Sequence, residues 1–189
     1  LPHGLLFWRA STHWIGGVGI IIFVLSVLPF LGIAEIVLYR SEISSMAREN
    51  FHHRTRKAIH IIVGVYGGLT LLETISLLLC GMDVFNAVTH SFATIATGGF
   101  STKNTSIASF NSPAIEIVII IFMILSGIHF ATLFSVITGH IREFWKSSVI
   151  RFYLAALLTG IIITTLNIHG AKFMHWIDAL RYASFQIIS

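Results

Sequence analysis

The sequence predicts an all-α integral membrane protein built from repeated helix–loop–helix units. Of its 189 residues, 55% are hydrophobic and 11% are charged, and the mean hydropathy is +0.85. A soluble domain usually carries about 25% charged residues, and a soluble fold of this length cannot bury so much apolar surface. The net charge of +4 forms no continuous basic face, so we expect contact with membrane lipid and no binding of nucleic acid.

Four apolar runs approach the roughly 20 residues that a helix needs to cross the hydrocarbon core. They cover residues 14–38, 58–80, 113–138 and 152–168. The fourth run is short and crosses only with little tilt or in a thinned bilayer. We therefore expect four spans.

The basic residues predict the orientation of these spans. Five lie between the first and second runs and three between the third and fourth, whereas the segment 81–112 holds only Lys103. Loops rich in Lys and Arg stay on the cytoplasmic side. Both chain ends and the segment 81–112 are therefore expected on the outer side.

The segment 81–112 predicts a short helix followed by an irregular return. Asp83 suits an N-cap, and residues 84–95 suit a helix of about three turns that is too short and too polar to span. The run Thr97-Gly98-Gly99 then breaks the helix. This is the outline of a re-entrant loop, which is tolerated at membrane depth only where it is buried in protein or lines a water-filled cavity.

An internal repeat accompanies this segment. Residues 82–88 resemble residues 174–180, and both stretches follow a spanning run. We expect about four spans and two re-entrant helices, taken from the centre of a longer chain. The sequence divides into the closing helix of a preceding repeat (1–39), a cytoplasmic loop (40–57), a complete helix–pore-loop–helix repeat (58–140) and the start of the next repeat with an incomplete pore loop (141–189).

The loop after the short helix has the chemistry of an ion filter. A dehydrated monovalent cation needs oxygen ligands in place of water, and rings of backbone carbonyls supply them in potassium filters. Gly98 and Gly99 reach the required backbone angles at low cost, and Thr97 adds a hydroxyl. The C-terminal end of the helix carries roughly half a negative elementary charge, which favours a nearby cation. The plainer interpretation is a turn in an exterior loop.

Three stretches carry a family resemblance. Residues 86–101, which read NAVTHSFATIATGGFS, resemble the second pore loop of the Trk/Ktr/HKT superfamily of potassium transporters, in particular of its bacterial TrkH-type subunits. Residues 14–20 resemble the helix that follows the first pore loop of that family, and residues 126–130 resemble part of its second-repeat inner helix. The resemblance covers nearly the whole chain.

The resemblance implies four such repeats around one potassium pathway, with Gly99 as the key filter glycine. It implies potassium uptake by a multi-pass protein of the cytoplasmic (inner) membrane that is not an enzyme, with K⁺ as the transported ion and no cofactor. It also implies a homodimer and a cytoplasmic nucleotide-binding regulatory subunit. The filter wall in this chain would be Ala96, Thr97, Gly98, Gly99 and Phe100.

Two residues in the third run are candidates for gating or for lining the pore. Gly127 suits a hinge. His129 stands where the family often has an amide, and its protonation near the pore would repel cations. The plainer interpretation of the glycines in the spans, including Gly16, Gly17 and Gly19, is close helix packing.

The acids inside the spans have two interpretations each. Glu73 lies in the second run, where an acid is a functional candidate by default, although a hydrogen-bonded structural acid is the favoured interpretation. Glu116 lies near the outer end of the third run, where it either reaches interfacial water or attracts cations to the mouth.

Three other function classes remain open. His60 and His129 could be axial ligands in a haem-binding electron-transfer protein, although no histidine pairing at fixed spacing accompanies them. A secondary cation transporter with broken helices and a purely structural membrane subunit are the other two. Catalysis is not expected, because the chain has no nucleophile motif such as Gly-x-Ser-x-Gly. The single Cys80 permits no intrachain disulfide.

Overall fold

The computed structural model describes the backbone of residues 1–39, 45–170 and 175–189, and it describes their side chains except at 25, 26, 28–39, 45–56, 58, 131 and 143. These described residues form helices joined by turns and loops, without a strand, as the sequence predicts. The α-helices are α1 His3–Tyr39, α2 Ser45–Leu79, α3 Val84–Ile95, α4 Pro113–Ser126, α5 Phe130–Ile137, α6 Ile141–Lys146, α7 Ser148–Ile168 and α8 Trp176–Ile188. A short 3₁₀ helix, Ser106–Phe110, precedes α4.

Three helical stretches in the described part of the chain are long and apolar enough to cross a membrane. They are His3–Val24, Ile59–Leu79 and Ser148–Ile168. The second and fourth predicted spans therefore lie where the sequence places them. The first helix begins well before the predicted run, at His3, because polar residues such as Arg9 interrupt an apolar run without breaking the helix.

The third predicted span is wrong as a continuous helix. The run 113–138 is divided into α4 and α5, and only α4 counts as a shorter apolar helix. The backbone of His129 is extended (φ −56°, ψ 123°), which ends the helical ladder. The Tyr153 hydroxyl of α7 donates to the Ile124 carbonyl at 3.3 Å, next to the break. A long apolar run predicts that a segment lies in the membrane. It does not predict whether the backbone hydrogen bonds of the helix continue without a break.

Part of the predicted loop 40–57 is helical. Residues 40–44 lie outside the described residues, but α2 begins at Ser45 and continues through the basic segment. The predicted span begins after the charged segment because charged residues do not lie in the hydrocarbon core. The helix itself continues through that segment, because Arg, Lys and Glu are good helix formers.

The short helix α3 lies at the centre of the packing. It contacts α1, α2 and α4, while α8 packs on α7 and α4. A cluster of Tyr66, Ile95 and Phe122 joins α2, α3 and α4. A second short helix, α8, begins at Trp176, the position that the internal repeat pairs with Val84 at the start of α3.

Candidate ion-filter site

The helix α3 starts as the sequence predicts. Asp83 has an extended backbone, and its side chain accepts a hydrogen bond from the Asn86 N–H at 3.1 Å, so it is the N-cap. The hydrogen bond from the Asn86 side chain is the largest of the effects that lower the pKa of Asp83. Much of the helix is buried, including the polar side chains of Thr89, His90 and Ser91. The helix is therefore held by protein on most sides.

The C-terminal end of α3 has the hydrogen bonds of a Schellman motif. The Gly98 N–H donates to the Ala93 carbonyl at 2.7 Å, and the Thr97 N–H donates to the Thr94 carbonyl at 2.9 Å. The left-handed position of this motif, usually a glycine, is occupied by Thr97 with φ 52°. A β-branched residue in this conformation costs about 1–3 kcal/mol and persists only where its surroundings enforce it. Such strain is typical of functional sites.

The backbone alternates in hand through the next residues. Thr97 (φ 52°) and Gly99 (φ 66°) are left-handed, and Gly98 between them is not. The Ala96 carbonyl accepts the Thr97 hydroxyl at 2.8 Å. Among the described residues no hydrogen bond occupies the carbonyl oxygens of Thr97, Gly98 or Gly99.

After Gly99 the chain turns back along α3. The Thr102 hydroxyl donates to the side-chain carbonyl of Asn86, which lies in the first turn of α3. Ser101 pairs with His90, near the middle of the same helix, at 2.9 Å. The short helix and the returning segment therefore lie side by side.

His90 connects the helix to the returning chain through both ring nitrogens. Its Nδ1 lies 2.7 Å from the Asn86 carbonyl, which can only accept, so Nδ1 carries the proton. Nε2 of the neutral ring then accepts from the Ser101 hydroxyl, whose oxygen accepts from the Lys103 N–H at 3.1 Å. Burial lowers the pKa of His90. The neutral ring satisfies every group in this network.

We expect the full-length protein in detergent to lose thermal stability as the pH falls below about 6.5, the ordinary pKa of histidine. The pKa of His90 is lowered in the folded protein, so the unfolded chain takes up a proton first. The stability that is present above about pH 6.5 is therefore lost as the pH falls toward the folded pKa. Melting curves across this range would measure it.

The control for this prediction is a pair of variants. His90→Gln should flatten the pH dependence, whereas His129→Gln, at an exposed position, should keep it. Parallel curves for wild type and His90→Gln would show that His90 is not responsible.

A cavity of about 260 Å³ adjoins the loop. Thr97, Gly99 and Phe100 line it on one side, and Ile188 and Ser189 at the end of α8 line it on another. The loop after α3 and the C-terminal end of α8, which the internal repeat relates to α3, therefore line the same cavity.

The other predicted residues lie apart from this loop. Gly127 and His129 form the break between α4 and α5, and neither lines the cavity. A Cβ on Gly127 would lie 2.4 Å from the Tyr153 hydroxyl oxygen, so this position is closely packed. Glu116 forms an ion pair with Arg181 of α8 at 2.9 Å. Within the described ranges no group of three or more His, Cys, Asp or Glu residues could hold a metal ion.

Comparison with known proteins identifies the family. The family model described as TrkH, a cation transport protein, matches residues 1–185. The chain belongs to the TrkH family. The Trk system potassium uptake protein TrkH of Escherichia coli K12 is 35% identical over 196 residues, which covers 100% of this chain and 40% of that protein. TrkG of the same organism is 32% identical over 170 residues, which covers 89% of this chain and 35% of that protein.

The fold agrees with that of a solved member of the TrkH family. The crystal structure of the potassium transporter TrkH from Vibrio parahaemolyticus superposes with a TM-score of 0.82 at 29% identity, covering 100% of this chain and 38% of that chain. The chain therefore spans about 40% of the length of these relatives. They are named as transport proteins and not as enzymes.

The sequence did not predict the contacts that hold Phe100 in this TrkH-family chain. The Arg9 guanidinium of α1 lies 4.7 Å from the centre of the Phe100 ring and donates to the Ser101 carbonyl at 2.8 Å. The His13 ring lies 4.8 Å from the same ring. No local signal could have found Arg9, because it lies 92 residues from Ser101 in the chain.

Proposed function

We propose that the protein containing this chain takes up potassium across the cytoplasmic membrane through a carbonyl-lined filter, of which residues 96–100 form one wall. One observation carries the proposal, namely the three consecutive free carbonyls of Thr97, Gly98 and Gly99 in a backbone of alternating hand. Carbonyl oxygens replace the hydration shell of a potassium ion without adding net charge.

The surroundings of the loop support this proposal. The α3 helix directs its C-terminal end, with its partial negative charge, toward the loop. Thr97 and Gly99 are exposed residues, while Phe100 and Ser101 are held by Arg9 of α1. The loop is therefore exposed at two of its positions and is anchored next to them by α1.

Part of the proposal concerns what lies beyond this chain. A single wall makes no pore, so we propose that further repeats complete the filter and that the protein forms a homodimer in the inner membrane. A cytoplasmic nucleotide-binding subunit is proposed to regulate it. Gly127 and His129 are proposed to line or gate the pathway below the filter, because the inner helix breaks there.

Uptake of ⁸⁶Rb⁺ into liposomes that contain the full-length protein tests the function. We expect uptake to follow the electrochemical gradient and unlabelled K⁺ to compete strongly, with Na⁺ and Li⁺ competing weakly. Empty liposomes and liposomes with heat-denatured protein are the controls. Rb⁺ uptake no higher than in the controls would refute potassium transport, and saturable uptake that needs a counter-ion would indicate a secondary transporter instead. A haem absorption band in the purified protein would indicate electron transfer.

A further inference from the structure

Arg9 is a charged residue inside a helical stretch that is long enough to span the membrane. This stretch is His3–Val24. A charged residue in such a position usually faces protein or a water-filled cavity, because contact with lipid costs free energy. Arg9 is half-buried, and within the described part of the chain no carboxylate lies at ion-pair distance from its guanidinium. The contacts that hold this guanidinium are therefore not those of a salt bridge.

Two contacts join the guanidinium to the chain that follows Gly99. Its Nη2 donates to the Ser101 carbonyl at 2.8 Å, and its Cζ lies 4.7 Å from the centre of the Phe100 ring. Its Nε is buried and has no hydrogen-bond partner among the described residues. One planar group thus makes a hydrogen bond and a cation–π contact to two consecutive residues.

His13 brings the same face of α1 against the loop. It follows Arg9 by four residues, so the two side chains lie on one face of the helix. The His13 ring lies 4.8 Å from the Phe100 ring, and its Nδ1 is 3.1 Å from the position that a Cβ on Gly98 would take. This face of α1 therefore packs against the residues on both sides of Gly99.

The candidate filter is held at both of its ends. At its start the Gly98 N–H donates to the Ala93 carbonyl of α3 at 2.7 Å. At its end Ser101 is held twice, because its carbonyl accepts from Arg9 and its hydroxyl pairs with His90 of α3. A short segment that is fixed at both ends has few conformations, and release of one end allows it many more. Among these contacts, that of Arg9 is the one that comes from outside α3.

We propose that Arg9 is a positioning residue of the filter. It fixes the end of the loop through Phe100 and Ser101 and thereby keeps the preceding carbonyls in place. Its planar guanidinium performs this role by making both contacts at once, and its charge alone does not. The inference rests on the proposed function, because it assigns a role within that filter.

Two substitutions at Arg9 separate positioning from charge. Arg9→Met removes both contacts, so the discrimination of Rb⁺ against Na⁺ in the liposome assay should fall about tenfold, the factor that corresponds to one hydrogen bond of about 1.4 kcal/mol. Arg9→Lys keeps the charge. Its ammonium reaches only as far as the guanidinium carbon and cannot contact the ring and the carbonyl together, so discrimination should fall about threefold. In a Phe100→Leu background Arg9→Met should cost a smaller factor than in wild type, because the cation–π contact is already lost.

Lys103→Met is the matched control for the change in charge. Lys103 is an exposed residue two positions after Ser101, and its backbone N–H, which donates to the Ser101 hydroxyl oxygen, is unchanged by the substitution. The variant removes one positive charge beside the same loop and leaves the contacts of Arg9 intact. We expect it to discriminate like wild type. Gel filtration and melting curves establish that each variant is folded, because a variant that merely unfolds loses the uptake of both ions alike.

Each outcome supports or overturns the inference. If Arg9→Met discriminates like wild type, Arg9 does not position the filter. If Arg9→Lys discriminates like wild type, the charge suffices and the inference is wrong, and this variant decides the question if Arg9→Met does not fold. If Lys103→Met loses as much discrimination as Arg9→Met, the electrostatic potential beside the loop explains the loss.

Gly99→Ala distinguishes a failure of this inference from a failure of the proposed filter. If Gly99→Ala impairs discrimination while the Arg9 variants do not, only the inference about Arg9 fails. If Gly99→Ala also has no effect, the proposed filter itself fails.

Discussion

Replacing Gly99 with alanine is expected to abolish selective Rb⁺ uptake by the full-length protein while the protein remains folded. Gly99 has φ 66°, and a Cβ there would meet no atom within 4 Å. The substitution therefore introduces no steric clash and changes only the preferred backbone conformation. A non-glycine residue in this region costs about 1–2 kcal/mol, which the chain relieves by moving φ to a negative value. That movement turns the carbonyl away from the ion.

The expected loss is large because a filter depends on geometry. Moving one carbonyl out of a ring removes a ligand and leaves the ion partly dehydrated. We expect the discrimination of Rb⁺ against Na⁺ to fall at least about tenfold, the factor that corresponds to about 1.4 kcal/mol. The liposome assay with Na⁺ as competitor measures this change, and gel filtration with a melting curve reports whether the variant is folded.

The chain offers a matched control in Gly81. Its φ is 89°, and an added Cβ would again meet no atom within 4 Å, so Gly81→Ala introduces a similar strain in the turn before α3. We expect Gly81→Ala to lose a comparable amount of stability and to keep its selectivity. If Gly81→Ala loses as much discrimination of Rb⁺ against Na⁺ as Gly99→Ala does, backbone strain and not filter geometry explains the loss. The assignment of Gly99 to the filter is then wrong.

Replacing Gly17 with valine is expected to separate α1 from the filter helix and to destabilise the protein. A Cβ on Gly17 would lie 2.6 Å from the Tyr66 hydroxyl oxygen and 3.3 Å from the Cβ of Ala96. The Tyr66 hydroxyl donates to the Trp14 carbonyl at 3.1 Å, so it cannot move without breaking this bond. Overpacking of this kind costs about 1–3 kcal/mol, to which the lost hydrogen bond adds about 1 kcal/mol.

Gly16 is the control for this variant. It precedes Gly17 in α1, and a Cβ on it would meet nothing within 4 Å. Gly16→Val makes the same chemical change and the same change in helix propensity, and we expect a melting temperature close to wild type. Equal melting temperatures for the two variants would show that α1 does not pack closely on Tyr66 and Ala96.

The contrast between these glycines shows where the sequence is informative and where it is not. Close packing was the plainer interpretation for Gly16, Gly17 and Gly19 alike, but of these three glycines only Gly17 has neighbours within 4 Å of an added Cβ. A glycine in a helix permits another helix to approach closely. Whether this close approach occurs depends on which helix packs against that face.

The sequence by itself determined the class, the family resemblance and the bounds of α3. These features depend on composition and on neighbours within a few residues, as in the Asp83 cap, the break after Ile95 and the start of α8. Local hydrogen bonds and helix propensity act over such short distances, so a single sequence shows them.

Only the tertiary structure decided which groups surround the loop. The clamp of Arg9 on Phe100 and Ser101 joins residues that are far apart in the chain. The unpartnered carboxyl of Glu73 and the break at Gly127, beside Tyr153 of another helix, are further cases. Each depends on how helices pack, and packing is set by the sum of many weak contacts. A pattern along one chain does not contain that sum.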